Sequence, residues 1–194
     1  MTDLQRPGAG LPKHEQVILN ILFKTGTAFC SDARALRSFK RESATLMRIT
    51  ENDESYDVFE PLLIPRVIGI EDSSRNWSIA MILEHLCLTN TEMMIAAGSL
   101  SKGIVPKGEV DIALYKPDSD VGVDVFERFR ETNRKYVELI ESLLGSRKRL
   151  PSHPRFPHPW FGELNAHQWH CLAAAHQTIH RRQAQKIVAM LGVT

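Results

Sequence analysis

Residues 77–97, WSIAMILEHLCLTNTEMMIAA, decide the fold that the sequence predicts. Apolar residues recur in this stretch at the intervals of three and four that place them on one face of an α-helix. The face comprises Ile79, Ile82, Leu83, Leu86, Met93 and Ala97. Because the face is broad, we predict a central helix that is mostly buried in a helical core.

Helical spacing continues on the N-terminal side of this stretch. We predict a first helix after Pro12, with an apolar stripe that Gly26 could break or kink near the end. The stripe consists of Val17, Ile18, Ile21 and Leu22. A second helix is predicted over residues 31–49, followed by irregular chain over residues 50–76.

Two further helices are predicted on the C-terminal side. One opens at Asp124, where Asp124 and Glu127 have the spacing of a capping box, and ends at Gly145. The other opens at Asn165, where Gln168 completes the same motif, and Gly192 is the expected stop after residue 191.

No convincing alternating strand appears, so we predict an all-α fold with long loops. Residues 98–122 form the longest predicted loop, and residues 151–159 form a Pro-rich connector. Loops of such length often cover functional sites. We expect one domain over residues 1–194, with residues 1–12 as a flexible N-terminal arm.

Composition excludes several classes of protein. The chain has 194 residues and a net charge of +1, which argues against a nucleic-acid partner. Three widely spaced cysteines, Cys30, Cys87 and Cys171, predict reduced thiols and a cytoplasmic protein. We expect no signal peptide and no membrane partner, because the N-terminus is polar and apolar runs stay short.

Histidine is the residue type that points to chemistry, and six of the eight lie between residues 153 and 180. Five have ordinary expected positions. We predict that His14, His153 and His158 are solvated or locally hydrogen-bonded, and that His167 and His170 lie on the exposed face of the last helix.

The remaining histidines occupy positions where helical spacing predicts apolar residues. His176 and His180 lie on the core stripe of the last helix, about 6 Å apart along its axis, so two ring nitrogens can converge on one ion. His85 lies in the apolar central helix. Three buried imidazoles cost desolvation unless they bind each other, the backbone or a metal. As metal ligands they form the three-histidine set that leaves a position open for water or substrate.

Two nearby residues refine this interpretation. Glu92 lies two turns beyond His85 and is open to being a fourth ligand, a base, a partner of a ligand or a solvated charge. Gln177 follows His176 where a zinc protease of the HExxH type requires a glutamate base, so that class is excluded.

The sequence also resembles the DinB-like superfamily of four-helix bundles. The resemblance rests on residues 77–86, WSIAMILEHL, and residues 158–183, HPWFGELNAHQWHCLAAAHQTIHRRQ. It includes the spacing of Ser78 and His85, the HP and FG pairs, and the HxxxHxxQ pattern. Residues 25–72 and 98–122 are longer than in compact members, which leaves the substrate class undefined.

The resemblance implies that His85, His176 and His180 bind a divalent metal, usually nickel or zinc. It also implies a homodimer and a small-molecule substrate, since relatives include low-molecular-weight-thiol S-transferases, a mycothiol-dependent isomerase and presumed hydrolases. Three-histidine chemistry itself also suits copper and iron.

Several functions therefore remain open. The leading expectation is a metal-dependent enzyme, either a thiol S-transferase or a hydrolase, with the transferase favoured by resemblance alone. The alternative is a non-catalytic bundle in which the histidines support folding or dimerisation. The hypothesis of a DNA-binding stress protein rests only on the basic runs at residues 40–48 and 180–186. These runs are most simply explained as solvated helix faces.

Overall fold

The computed structural model describes residues 4–51, 56–145 and 149–192. Over these residues the chain is mostly helical, with five α-helices and two small antiparallel strand pairs. The helices are α1 (Lys13–Phe29), α2 (Asp32–Glu51), α3 (Ile79–Ser101), α4 (Val125–Leu144) and α5 (Ala166–Leu191). The strands are β1 (Leu62–Leu63), β2 (Asn76–Trp77), β3 (Arg155–His158) and β4 (Gly162–Asn165).

The core lies among α2, α3, α4 and α5. Helix α5 packs against α2 and α3, and α4 packs against α3 and α2. Large fully buried side chains of these helices include Phe39, Phe129, Tyr136 and Trp169. The all-α prediction is therefore confirmed in its coarse form.

Helix α3 is the most buried helix, as its broad apolar face predicts. Its start is fixed by Ser78, whose Oγ accepts a hydrogen bond of 3.1 Å from the Met81 amide. The helix continues through Gly98, so the prediction that a loop starts at this residue is wrong. A Cβ at Gly98 would lie 3.1 Å from Leu139 Cδ2, so the glycine allows α4 to approach closely.

The two predicted capping boxes have opposite outcomes. Asn165 caps α5, since its Oδ1 accepts from the Gln168 amide at 2.9 Å and Gln168 Oε1 accepts from the Asn165 amide at 3.1 Å. Asp124 forms no cap bond because its backbone has φ −61° and ψ −19° rather than an extended conformation. Its carboxylate binds Arg128 Nε at 2.7 Å instead.

Helix α1 departs most from its prediction. The helix passes Gly26 without a break, and its four-residue stripe is exposed rather than buried. The exposed fractions are 58% for Val17, 54% for Ile18, 60% for Ile21 and 62% for Leu22. Helix α1 packs against α5 through other residues, including Leu19 and Phe23. The helical period correctly predicts the apolar face of α1, but it does not predict that this face is exposed.

The connections contain more structure than predicted. β1 pairs with β2 within the segment expected to be irregular, and β3 pairs with β4 as a hairpin over the Pro-rich connector. The sequence does not indicate these strands, because the pairs are too short to show alternation. Short 3₁₀ turns occur at Asp72–Ser74 and Ile112–Tyr115.

The N-terminal arm, expected to be flexible, makes definite contacts over its described part. The Gln5 amide donates to Asp72 Oδ2 at 3.0 Å, and the Gly10 amide donates to Glu71 Oε1 at 2.7 Å. Leu11 is buried. Residues 1–3 of that expectation lie outside the described residues.

Among the described helices, α3 alone has the length and composition that would allow a membrane span. Of its most apolar 18-residue window, 67% is buried inside the fold. Core helices meet the same criterion, so this feature is weak evidence for a membrane.

Candidate metal centre

Three histidines meet between α3 and α5. Nε2 of His176 lies 3.3 Å from Nε2 of His85 and 3.1 Å from Nε2 of His180. The three residues offer ligand atoms that all lie within 4.8 Å of one another. The structure thus brings together the three residues that the sequence singles out.

The outer ring nitrogens determine which way the lone pairs point. His85 Nδ1 lies 2.6 Å from the Tyr115 carbonyl, which can only accept a hydrogen bond. His180 Nδ1 lies 2.8 Å from Gln183 Oε1, and the Gln183 amide nitrogen donates to the Ser74 carbonyl at 2.7 Å, which fixes the amide orientation. Both Nδ1 atoms therefore carry the proton, and both Nε2 atoms present lone pairs.

His176 follows the same arrangement through a longer contact. Its Nδ1 lies 3.5 Å from Thr89 Oγ1, and the Thr89 hydroxyl donates to the His85 carbonyl at 2.9 Å. The Thr89 oxygen is therefore an acceptor for the Nδ1 proton of His176. With His176 in that tautomer, all three Nε2 atoms present lone pairs, and the ligand atoms are close enough together to hold a metal ion.

Burial keeps the imidazoles neutral. It lowers the pKa of His85 to about 4, against the raising effect of the hydrogen bond to the Tyr115 carbonyl. Burial, followed by the neighbouring histidines, also lowers the pKa of His176 and of His180 well below the usual value. A neutral ring is the form that binds a metal.

The donor set fits a divalent metal. In a tetrahedral site with metal–nitrogen bonds of about 2.0–2.1 Å, neighbouring nitrogens lie about 3.3 Å apart. The two shorter separations here, 3.3 and 3.1 Å, agree with that spacing. Imidazole nitrogen suits zinc, nickel, copper and iron.

Glu92 is not part of this cluster. It lies on the same side of α3 and lines the adjoining cavity, where it accepts a hydrogen bond from the Tyr115 side chain. Burial, followed by the charge and hydrogen bond of Glu92, raises the pKa of Tyr115 to about 12. Tyr115 thus connects Glu92 through its side chain to His85 through its carbonyl.

A cavity of about 340 Å³ opens beside the histidines. Its wall comes from α1, α3, α5, the β3–β4 hairpin, residues 69–74 and the loop between α3 and α4. Most side chains in the wall are apolar, including Leu19, Phe23, Met93, Phe161 and Leu172. The expectation that the long loop covers the site agrees with the positions of Val110, Ile112, Tyr115 and Lys116 in this wall.

Sequence reasoning missed an ion pair in the cavity wall. Lys116 Nζ donates to Glu71 Oε2 and to Ser74 Oγ, the latter at 2.8 Å. Both side chains are largely buried, with exposed fractions of 16% for Lys116 and 3% for Glu71. The two residues lie 45 positions apart in the sequence, so no local pattern indicates the pair.

His158 is locally hydrogen-bonded, which is one of the two forms predicted for it, and it also lies in the cavity wall. It lines the cavity among Trp160, Phe161 and Trp169, and burial lowers its pKa to about 4. Its Nδ1 accepts from the Trp160 amide at 3.1 Å. The aromatic residues close to His158 in the sequence, including Trp160 and Phe161, are the signal that could have indicated its position in an apolar site.

His167 and His170 were predicted to be exposed, and this is wrong. Both are buried and bound to Asp32, a fully buried residue at the start of α2. His167 Nδ1 lies 2.7 Å from Asp32 Oδ1, and His170 Nε2 lies 3.0 Å from the Asp32 carbonyl. Their face of α5 packs on α2, which supplies polar partners that spacing cannot reveal. His14 and His153 are exposed, as expected.

Comparison with protein-family models, with curated proteins and with solved structures finds no match for this chain. Arguments about function therefore rest on the site itself.

Proposed function

We propose that this protein is a metal-dependent enzyme that acts on a small molecule. In this proposal His85, His176 and His180 bind one divalent cation, nickel or zinc, and α2 to α5 form a four-helix bundle of the DinB-like type. The observation that carries the proposal is the convergence of three imidazole lone pairs beside an apolar cavity. A cavity with a few convergent polar groups is the usual form of a small-molecule site.

The chain's own residues prepare this site for reaction. Tyr115 and Gln183 hold the rings of His85 and His180 in one tautomer, which keeps their Nε2 atoms available. The apolar wall limits water near the histidines. A divalent cation bound there would supply Lewis acidity and favour the deprotonated form of a thiol or a water.

Glu92 provides a position for a proton beside the site. Its carboxylate lines the cavity and pairs with the Tyr115 side chain, which leaves it capacity to accept a further hydrogen bond. We assign it the role of a proton acceptor for a substrate thiol or water, since it is not grouped with the histidines.

Two reactions share this arrangement: transfer of a low-molecular-weight thiol to an electrophile, and hydrolysis. Assay with small electrophiles, with and without added thiols, distinguishes them. Thiol-dependent loss of the electrophile supports the transferase, and thiol-independent cleavage supports the hydrolase. Absence of turnover in both assays favours the alternative in which the histidines only stabilise the bundle.

Metal content is the decisive first measurement. Protein purified without a histidine tag or a nickel column should contain close to one divalent ion per chain. His176→Ala should abolish that ion, whereas the matched variant His153→Ala, at an exposed histidine, should retain it. Unchanged occupancy in His176→Ala would refute the three-histidine site.

A homodimer is also proposed. The apolar face of α1 is exposed along the helix, and an isologous dimer would bury the same patch from both copies.

A further inference from the structure

The charges in the cavity wall define the class of ligand that it accepts. We infer that the cavity selects a predominantly apolar molecule whose one polar group faces the histidines and whose remaining body carries no negative charge. This inference deepens the proposed function and rests on it for the orientation of the polar group.

The size and wall of the cavity set the first condition. Its volume of about 340 Å³ lies at the lower end of the range of about 300–1,000 Å³ typical of small-molecule sites. Aromatic and aliphatic side chains from three helices and the hairpin surround it. Burial of an apolar ligand body against them is favourable because it removes apolar surface from water.

The basic charge in the wall is already neutralised. Among the described residues that line the cavity, Lys116 is the single lysine or arginine. Its ammonium group is bound by Glu71 and Ser74 and lies 5.4 Å from the centre of the Trp77 ring. Glu71 in turn accepts from the Gly10 amide. Apart from the metal proposed at the histidines, a ligand anion would have to break this buried pair to gain a cationic partner, at the cost of leaving Glu71 unpaired.

The remaining charge in the wall is negative. Glu92 forms no ion pair among the described residues, and the Tyr115 hydroxyl that it binds is neutral. A negative group on the ligand body would meet this half-buried carboxylate, and like charges repel. A ligand with a neutral body avoids this repulsion. A single hydrogen-bond donor that faces the histidines adds no negative charge, so it is compatible with the Glu92 carboxylate.

A matched pair of probes tests this selectivity. Both are naphthalenes with a hydroxymethyl group at position 2; one carries a methyl group and the other a sulfonate at position 6. Sulfonate is permanently negative, so the pair differs mainly in body charge. Isothermal titration calorimetry on the purified protein, at its measured metal content, should give at least about tenfold tighter binding of the methyl probe.

Charge variants make the test specific to the proposed residue. Glu92→Gln should reduce the difference between the two probes by about tenfold through tighter binding of the sulfonate. Glu163→Gln, at an exposed glutamate outside the cavity wall, should leave both affinities unchanged. Glu71→Gln should also favour the sulfonate by releasing Lys116, provided that circular dichroism shows it folded.

The outcomes separate the inference from the proposed function. Equal or tighter binding of the sulfonate by the unmodified protein overturns the inference, as does failure of both probes to bind at millimolar concentration. A Glu92→Gln variant that preserves the original ratio also overturns it. If the purified protein contains no metal but still prefers the methyl probe, the proposed enzymatic function is refuted and the proposed selectivity of the cavity is supported. If the protein contains metal but does not prefer the methyl probe, only the inference about selectivity is overturned.

Discussion

Nε2 of His176 lies 3.1 Å from Nε2 of His180, one turn further along α5, and each ring is turned so that its Nδ1 faces a hydrogen-bond acceptor. Two lone pairs therefore face each other in a buried site. Such an arrangement is unfavourable without a shared proton or a cation. Under the proposed function a divalent cation is the group that binds both nitrogens.

The anchor of His180 should control metal affinity. Gln183→Met removes the acceptor of the Nδ1 proton while approximately preserving volume, so we expect metal affinity to fall about 10- to 100-fold. Competition with a chelator of known affinity measures the change. Gln185→Met, at an exposed position on the same helix, is the control and should change affinity less than about twofold. Equal affinities for the two variants would contradict the proposed role of Gln183.

The two predicted helix caps should differ in energy. Asn165→Ala removes a formed capping box and should lower the free energy of unfolding by about 1 kcal/mol. Asp124→Ala removes no cap bond and only an exposed ion pair with Arg128, so its effect should stay below about 0.5 kcal/mol. Urea unfolding followed by circular dichroism compares them. If Asp124→Ala lowers the free energy of unfolding by more than about 0.5 kcal/mol, the cap at the start of α4 forms in solution.

His170 should make the fold sensitive to acid. Burial lowers its pKa below the usual value, against the raising effects of its hydrogen bond to the Asp32 carbonyl and the Asp32 charge. The unfolded chain therefore binds a proton more readily than the folded chain. Stability from this residue is complete above the unfolded pKa of about 6.5 and decreases as the pH falls below it.

His170→Gln tests this dependence. Glutamine does not titrate and can still donate to the Asp32 carbonyl and accept from the Tyr136 hydroxyl. We expect a smaller loss of unfolding free energy between pH 7 and pH 5 than in the unmodified protein. His153→Gln, at an exposed histidine, should reproduce the unmodified pH dependence. If the unfolding free energy of His170→Gln falls between pH 7 and pH 5 as much as that of the unmodified protein, other titrating groups determine the pH dependence.

The exposed face of α1 should mediate dimerisation. Ile21→Lys places a charge in the centre of this face, and we expect it to convert a dimer into a monomer in sedimentation-velocity experiments. Ile95→Lys places the same charge at an exposed isoleucine on α3 and should leave the dimer intact. A dimer that survives Ile21→Lys with unchanged affinity, or an unmodified protein that is monomeric at all concentrations, would exclude this interface.

Local patterns predicted the features whose causes are local. The start and end of α5 followed from Asn165, Gln168 and Gly192, because caps involve residues within one turn of each other. The buried face of α3 followed from its spacing. His85, His176 and His180 stood out because polar rings occupied positions that the helical period assigns to the core.

Predictions failed where the partner is distant in sequence. His167 is bound by Asp32, 135 positions away, and nothing near His167 indicates that acceptor. The stripe of α1 predicted an amphipathic helix, but periodicity cannot state whether another helix of the same chain covers the apolar face. Asp124 is a different case, because it has the spacing of a cap but its own backbone conformation prevents the bond.

The sequence alone therefore determined a mostly helical chain and the three histidines that could hold a metal. Tertiary structure decided which nitrogens face each other, since Tyr115 and Gln183 orient the rings from separate segments. It also decided the charge of the cavity, because Lys116 is neutralised by Glu71, 45 positions away. Helical period and capping are properties of neighbouring residues, whereas lone-pair direction and net charge in a cavity depend on contacts that only folding creates.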